Sequence, residues 1–280
     1  MIKKIIDLRI SQEVNLTDSD WIRIYYEDYI GRNMSLPMLA NKYHKGTTTI
    51  HRNFTKNGLK CRNHSEKSRK YKCNYNYFDE IDCEEKAYFL GFIYADGYVT
   101  GNAFGIALAS KDVEIINILL RCMDSTHEIK KYMNNGYGGT YKKTEYVRVI
   151  IRNEHLVNTL IQHGVLRKKS KILEPPQIDN KFIRHFIRGY MDGDGSIYQC
   201  DNSYTVSFTG TKNMLKYIGD FIENQGIIRR YTLYPEHHST EIFSLKIGGN
   251  IQAKKLLDLL YKESNIYLKR KHDIYLQINN

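Results

Sequence analysis

Residues 88–97 read Tyr-Phe-Leu-Gly-Phe-Ile-Tyr-Ala-Asp-Gly, and residues 186–195 read Phe-Ile-Arg-Gly-Tyr-Met-Asp-Gly-Asp-Gly. Both are mostly apolar, and both carry small residues four apart: Gly91 and Ala95 in the first, Gly189 and Gly193 in the second. Residues four apart share one face of a helix. A face without bulky side chains lets a second backbone come very close. Each run ends in Asp-Gly and is followed by a β-rich segment. The pattern predicts two helices packed through their small faces, with Asp96 and Asp194 side by side at their ends. Two carboxylates that close repel unless a cation lies between them, so this point is a candidate metal site.

Working outward from each run, the same order of elements recurs. After Asp96, Tyr98–Ala109 reads as two strands broken near Gly101 and Asn102, and Ser110-Lys111-Asp112 opens a helix with Val113, Ile116 and Leu120 inward. Glu128–Met133 and Tyr146–Ile151 read as strands, Asn153 as the cap of a helix to His163, and Leu166–Lys171 closes the unit before Pro175-Pro176. After Asp194 come strand Thr205–Thr209, a helix from Thr211 through Ile222, strands Ile227–Leu233 and Glu241–Ile247, a helix capped by Asn250 through Leu260, and a close at Leu268–Lys271. Asp96 to Lys169 is 73 residues and Asp194 to Lys271 is 77. A repeat of this kind predicts a pseudo-two-fold molecule, each half αββαββα, with two four-stranded sheets flanking the helix pair.

The amino-terminal part differs in kind. Of the formal net charge of +11, residues 1–78 carry +8, which points to a polyanionic partner. Asp18 or Ser19 is the expected cap of a helix bearing Trp21, Ile24, Tyr25 and Tyr29; Ser35 caps Leu36–Tyr43, with Pro37 in the first turn. His44-Lys45-Gly46 is a tight turn, Thr47 or Thr48 caps a helix through Ile50 and Phe54, and Gly58 closes it. Helix, glycine turn and helix is the helix-turn-helix pattern, which would present Thr48, Thr49, His51 and Arg52 to the major groove. Residues 61–80 read as a basic linker. Cys61, His64, Cys73 and Cys83 fit no common zinc spacing and read as incidental thiols; unpaired cysteines fit a reducing, cytoplasmic setting, whether phage, bacterial or organellar. No apolar run reaches the length of a membrane span.

Phe-Leu-Gly-Phe-Ile-Tyr-Ala-Asp-Gly and Ile-Arg-Gly-Tyr-Met-Asp-Gly-Asp-Gly resemble the two motifs of the LAGLIDADG homing endonucleases in their single-chain form, over roughly residues 81–280. The resemblance implies an α+β fold: two pseudo-symmetric repeats (81–175 and 176–280) forming a DNA-binding saddle, behind an all-α helix-turn-helix domain (1–60) and the basic linker (61–80). It implies a monomer that cuts both strands of a long, near-asymmetric duplex target with Mg²⁺ or Mn²⁺. Asp96 and Asp194 would hold the metal, aided by the backbone carbonyls of Ala95 and Gly193. Lys169 and Lys271 match the family's basic position beside the site, with Lys168, Lys171 and Lys269 as neighbours that could serve instead.

Strand alternation places Thr100, Asn102, Arg148, Tyr198, Asn202, Arg229 and Lys246 on the DNA face. Asp192 reads as a capping and hydrogen-bonding residue, and its counterpart in the first motif is Tyr94. The polar water-positioning residue of the family aligns near Ala107 and Phe208, neither of which fits that role. Rival classes are a transcription regulator that has lost cleavage, against which both acids stand, and an RNA maturase with intron RNA as partner. An intein is not expected, because the chain begins Met-Ile-Lys-Lys and ends Ile-Asn-Asn.

Overall fold

The structure, a computed structural model, describes residues 16–32, 34–62, 70–134, 143–167, 171–236 and 239–279. The chain divides into two units, Met1–Lys70 and Tyr71–Asn280. Lys168 and Lys169, with His64, lie outside the described residues.

In the first unit, the cap of α1 (Asp18–Ile24) lies one residue before the expected Asp18 or Ser19. Thr17 is the N-cap, because Asp20 stands three residues on and closes a capping box with it. The helix continues in π-helical form over Tyr25–Gly31. Ser35 caps α2 (Leu36–Tyr43), accepting from the Met38 N–H at 3.3 Å. His44, at φ 49°, ends α2 in the left-handed region. The N-cap of α3 (Thr47–Lys56) is Gly46, not Thr47 or Thr48, and no side chain caps it. Trp21, Ile24, Tyr29, Leu36, Leu39, Ile50 and Phe54 form the core.

One charge is buried beneath that core. Asp28 is 1% exposed and accepts from Arg32 Nη1 at 2.6 Å, Lys42 Nζ at 2.5 Å and Tyr43 Oη at 2.5 Å. The Lys42 hydrogen bond leads the effects that hold the carboxyl down at about 2. An acid whose folded value lies below its unfolded value stabilises the fold above the unfolded value, near 4, and loses that contribution as pH falls through the folded one. The unit is therefore expected to lose about 2 kcal/mol between roughly pH 4 and pH 2. Trp21 is the chain's only tryptophan and lies in this core, so its fluorescence reports the loss selectively. A Trp21 melting curve unchanged across that range, or the same acid loss in Asp28→Asn, would refute the assignment.

The second unit starts earlier than a linker over 61–80 allows. The segment from Tyr71 onward is packed against the first repeat: Thr126 N–H donates to Lys72 O at 2.9 Å, Asn74 N–H donates to Met123 O at 2.7 Å, and Tyr77 and Phe78 are buried. The aromatic side chains of this basic stretch bury apolar area that a solvated linker would leave in water.

From there the first repeat runs α4 (Glu84–Asp96), β1 (Gly97–Thr100), β2 (Ala103–Ala109), a short 3₁₀ turn at Ser110–Asp112, α5 (Val113–Cys122), β3 (Lys130–Asn134), β4 (Thr144–Arg152) and α6 (Glu154–Gln162). The second runs α7 (Ile183–Asp194), β5 (Gly195–Cys200), β6 (Ser203–Thr211), α8 (Lys212–Asn224), β7 (Leu233–Pro235), β8 (Ile242–Gly248) and α9 (Asn250–Tyr261). The two antiparallel sheets have equivalent orders, β1-β2-β4-β3 and β5-β6-β8-β7. The fold is α+β: two like repeats that follow a small helical unit in the sequence.

Three details depart from the expectation. Ile227–Leu233 is not a strand; β7 starts only at Leu233. The Tyr231 ring lies over Gly219 of α8, where an added Cβ would be 2.6 Å from Tyr231 Cζ, and its hydroxyl donates to Asp220 at 2.5 Å. That packing draws the segment onto α8 and away from strand pairing, so Arg229 stands exposed but off the sheet. Asn250 does not cap α9; Gly249 is the N-cap, and the Asn250 side chain accepts from Tyr204 N–H and donates to Asn202 O, tying down the β5–β6 hairpin. A further helix, α10 (Lys269–Asn279), follows the second repeat, with the Tyr275 ring stacked 5.7 Å from that of Tyr261.

Candidate active site

α4 and α7 meet backbone to backbone. A Cβ on Gly189 would fall 2.8 Å from both the Tyr88 carbonyl carbon and the Phe92 nitrogen, and closer still to the Tyr88 oxygen. A Cβ on Gly91 would lie 2.8 Å from the Phe186 carbonyl carbon and 2.9 Å from the Tyr190 nitrogen. At the lower end, a Cβ on Gly193 would come 3.5 Å from Ala95 Cα, closer to Ala95 Cβ, and 3.2 Å from Asp96 Oδ2. The four small residues thus share one seam, and the seam carries the Asp96 carboxylate to the backbone of the partner helix beside Asp194.

Asp96 and Asp194 are the last residues of their helices. Carboxylates are disfavoured there, because the helix C-terminus already carries partial negative charge. A compensating cation is present in the second half. Lys271, 2% exposed, donates from Nζ to Met191 O at 2.5 Å, Asp192 O at 2.8 Å and Gly195 O at 2.6 Å. An ammonium has three protons, and these three carbonyls take them all. Burial pulls Lys271 down to about 8, while Asp192, Asp96 and Asp194 act in the opposite direction. Lys271 therefore fastens the end of α7 and reaches the two acids only through its field. Its counterpart in the first repeat, Lys169, is among the residues outside the description.

Asp192 is wholly occupied elsewhere. Its carboxylate accepts from Tyr261 Oη at 2.5 Å, Tyr88 Oη at 2.7 Å and Leu268 N–H at 2.7 Å. Burial pushes its pKa up against those hydrogen bonds. Tyr94, at the matching place in α4, instead donates to His163 O. Either residue ties the end of its motif helix to the segment after the repeat's last helix.

Sequence reading gave no role to Arg188, which is fully buried. It donates to Ile266 O at 2.9 Å, Leu260 O at 3.1 Å and Glu84 Oε1 at 2.6 Å, and contacts His185 Nδ1 at 3.0 Å. Burial first, with Arg188 adding to it, pulls His185 down to about 4. The signal was an arginine inside an otherwise apolar run; a charge placed there needs an acid and several carbonyls around it.

For a cation, the donors at the seam are hard oxygens: two carboxylates and nearby main-chain carbonyls. Among the described residues no cluster of three or more His, Cys, Asp and Glu could hold a metal ion, so the seam offers only its two carboxylates and main-chain oxygens. Such a donor set suits Mg²⁺, which takes one or two carboxylates and keeps several waters.

The sheet faces turned from the core hold most of the predicted contact residues. Val147, Val149 and Ile151 of β4 are buried, so Arg148 faces outward with Tyr146 and Arg152. Thr100, Tyr198 and Lys246 are exposed on their strands, while Asn102 and Asn202 sit in the hairpin turns. The register also settles which central-strand residues match. Gly97 pairs with Ile106 and Gly195 with Phe208, so Phe208 is a core residue and the counterpart of Ala107 is Thr209, one place further on. In the first unit, Thr48, His51 and Arg52 are exposed on α3 and Thr49 is half-buried.

No curated protein matches the chain. Among solved structures, the meganuclease I-SmaMI bound to uncleavable DNA aligns with a TM-score of 0.46 at 12% identity, covering 69% of this chain and 91% of its own. The I-LtrWI LAGLIDADG homing endonuclease bound to target DNA aligns at 0.43 and 12% identity, covering 74% and 91%. Full-length DUF199/WhiA from Thermatoga maritima aligns at 0.46 and 13% identity, covering 74% and 64%. Residues 84–164, which run from α4 through α6, match the sequence profile of the LAGLIDADG-like domain.

Proposed function

We propose that the chain is a site-specific endonuclease that hydrolyses one phosphodiester in each strand of a DNA duplex, using a divalent metal ion at Asp96 and Asp194. The observation that carries this reading is the placement of two acids at adjoining helix ends. Mutual repulsion and both helix dipoles disfavour that placement, and a divalent cation between the carboxylates would offset both. The carbonyls of Ala95 and Gly193 would add oxygen donors. A divalent ion held there would supply charge to offset that of the phosphate oxygens and would favour attack by water. Lys271 keeps the end of α7, and with it Asp194, in place. The outward sheet faces supply the duplex contacts through Thr100, Arg148, Tyr198 and Lys246, with Asn102 and Asn202 at the hairpin tips. α2, the His44 turn and α3 act as a helix-turn-helix that sets Thr48, Thr49, His51 and Arg52 against the major groove.

The test is cleavage of a randomised duplex library with Mg²⁺ and again with EDTA. Discrete cut sites with Mg²⁺ and none with EDTA are expected. Binding without any cutting would reduce the reading to a DNA-binding protein of this fold. The first unit is tested separately. A chain of residues 71–280 keeps its own core and both acids, so it is expected to cut when concentrated but to bind more weakly. Its slope of log affinity against log salt should be shallower by about one unit per phosphate contact removed. An equal slope and affinity would exclude the first unit from the DNA interface.

A further inference from the structure

The two outward sheet faces are not chemical equivalents, and the difference centres on Arg148. Arg148 pairs with Ala107 in β2, and the residue at the matching register of the second sheet is Ser244, paired with Thr209 and 3% exposed. The first sheet therefore carries a guanidinium where the second carries a buried hydroxyl.

That guanidinium is held in advance of any ligand. Arg148 Nη2 donates to the Tyr132 hydroxyl at 3.0 Å, and its Cζ lies 4.4 Å from the centroid of the Tyr132 ring. Tyr146 stacks in turn on Tyr132, with centroids 5.3 Å apart and planes 18° from parallel. Nε is buried with no partner among the described residues, which leaves the Nη pair as the end a ligand meets. The floor beside it in β2 is Ala103, Gly105, Ala107 and Ala109, and the Tyr98 ring covers Gly105. None of the strand residues on this face is an Asp or Glu, so nothing on it neutralises the arginine. β4 is also an interior strand of its sheet. A sheet laid in a major groove brings its interior strands over base edges and its rim near phosphates.

Resting on the duplex-binding reading above, we propose that Arg148 reads a guanine in the half-site under the first sheet, and that the second sheet reads its half-site without an arginine. The fork matches guanine O6 and N7, and fixing it beforehand reduces the ordering lost on binding. Recognition is then asymmetric although the scaffold is a repeat.

The experiment is selection from a randomised duplex library by the full chain in EDTA, repeated with Arg148→Ala, Arg148→Lys and Tyr132→Phe. The intact protein is expected to enrich one position in guanine. Arg148→Ala and Arg148→Lys should each reduce that preference about tenfold or more, with the other positions unchanged. Tyr132→Phe, which keeps the ring but not the hydroxyl, should weaken it partially. An even loss of affinity with every base preference kept would make Arg148 a phosphate contact and overturn the proposal. Failure of the intact chain to bind any duplex would instead overturn the reading on which it rests.

Discussion

The double variant Asp96→Asn/Asp194→Asn is expected to lose cleavage by about a thousandfold or more, while still shifting the target duplex. Asparagine keeps the size and shape of the side chain and removes the charge. The loss corresponds to several kcal/mol of stabilisation of charge at the phosphate. A second readout does not depend on cutting. A ligand that binds only the folded state raises its stability by RT ln(1 + [L]/Kd). The intact protein should therefore melt later in excess Mg²⁺, and the double variant should show no such shift. The variant itself should fold, because Asp96 is only half-buried and Asp194 exposed, and removing the charges relieves repulsion at two helix ends. Normal cutting by the double variant would place the chemistry elsewhere. Lost cutting with an intact Mg²⁺ shift would separate metal binding from these acids.

What could be read from the sequence was whatever depends on periodicity. Glycine four residues from alanine or glycine reports a helix face, and its repetition at Gly189 and Gly193 reports what packs on it. The apolar alternation after each Asp-Gly gave the strands, because a half-buried strand must alternate. Features that depend on which of two partners a side chain chooses were not legible. Ile227–Leu233 has the apolar content of a strand, but Tyr231 finds Gly219 and Asp220 on α8 first. Thr17 caps α1 because Asp20 completes the box, and the neighbouring Asp18 and Ser19 looked as suitable locally. Lys271 reads as a basic residue near the acids; only the fold shows that Met191, Asp192 and Gly195 carbonyls take its protons. The register of Thr209 hinged on one residue, and in a strand one residue moves a side chain to the opposite face.

The repeat has also diverged where its halves need different anchors. Asp192 gathers two tyrosine hydroxyls and an amide, whereas Tyr94 reaches one carbonyl. Arg188 joins α7 to Glu84 at the start of α4 and to the segment leading into α10. These buried polar groups fix one arrangement of the helix pair, since a shift of either helix would leave a buried charge without its partners. Rigid placement of Asp96 against Gly193 follows from the same contacts.

Gly189→Ala tests that seam with one carbon atom. Alanine favours a helix interior over glycine by about 1 kcal/mol, so the substitution would stabilise an isolated α7. In the pair, however, the new methyl meets the Tyr88 carbonyl and the Phe92 nitrogen at 2.8 Å or less. These are backbone atoms of a buried helix and cannot rotate away. Overpacking of a core costs about 1–3 kcal/mol when side chains can adjust, and here they cannot, so a net loss of about 3 kcal/mol or more is expected. For a unit of this size that lowers Tm by roughly 6–12 °C. Gly91→Ala strikes the same interface from the other side, at Phe186 and Tyr190. Once one methyl has forced the helices apart, the second meets an open seam. The double variant should therefore lose clearly less than the sum of the singles, by about 1 kcal/mol or more of coupling. Additive losses would mean that each methyl is absorbed locally. Unchanged Tm in both single variants would mean that the two backbones are not in contact in solution.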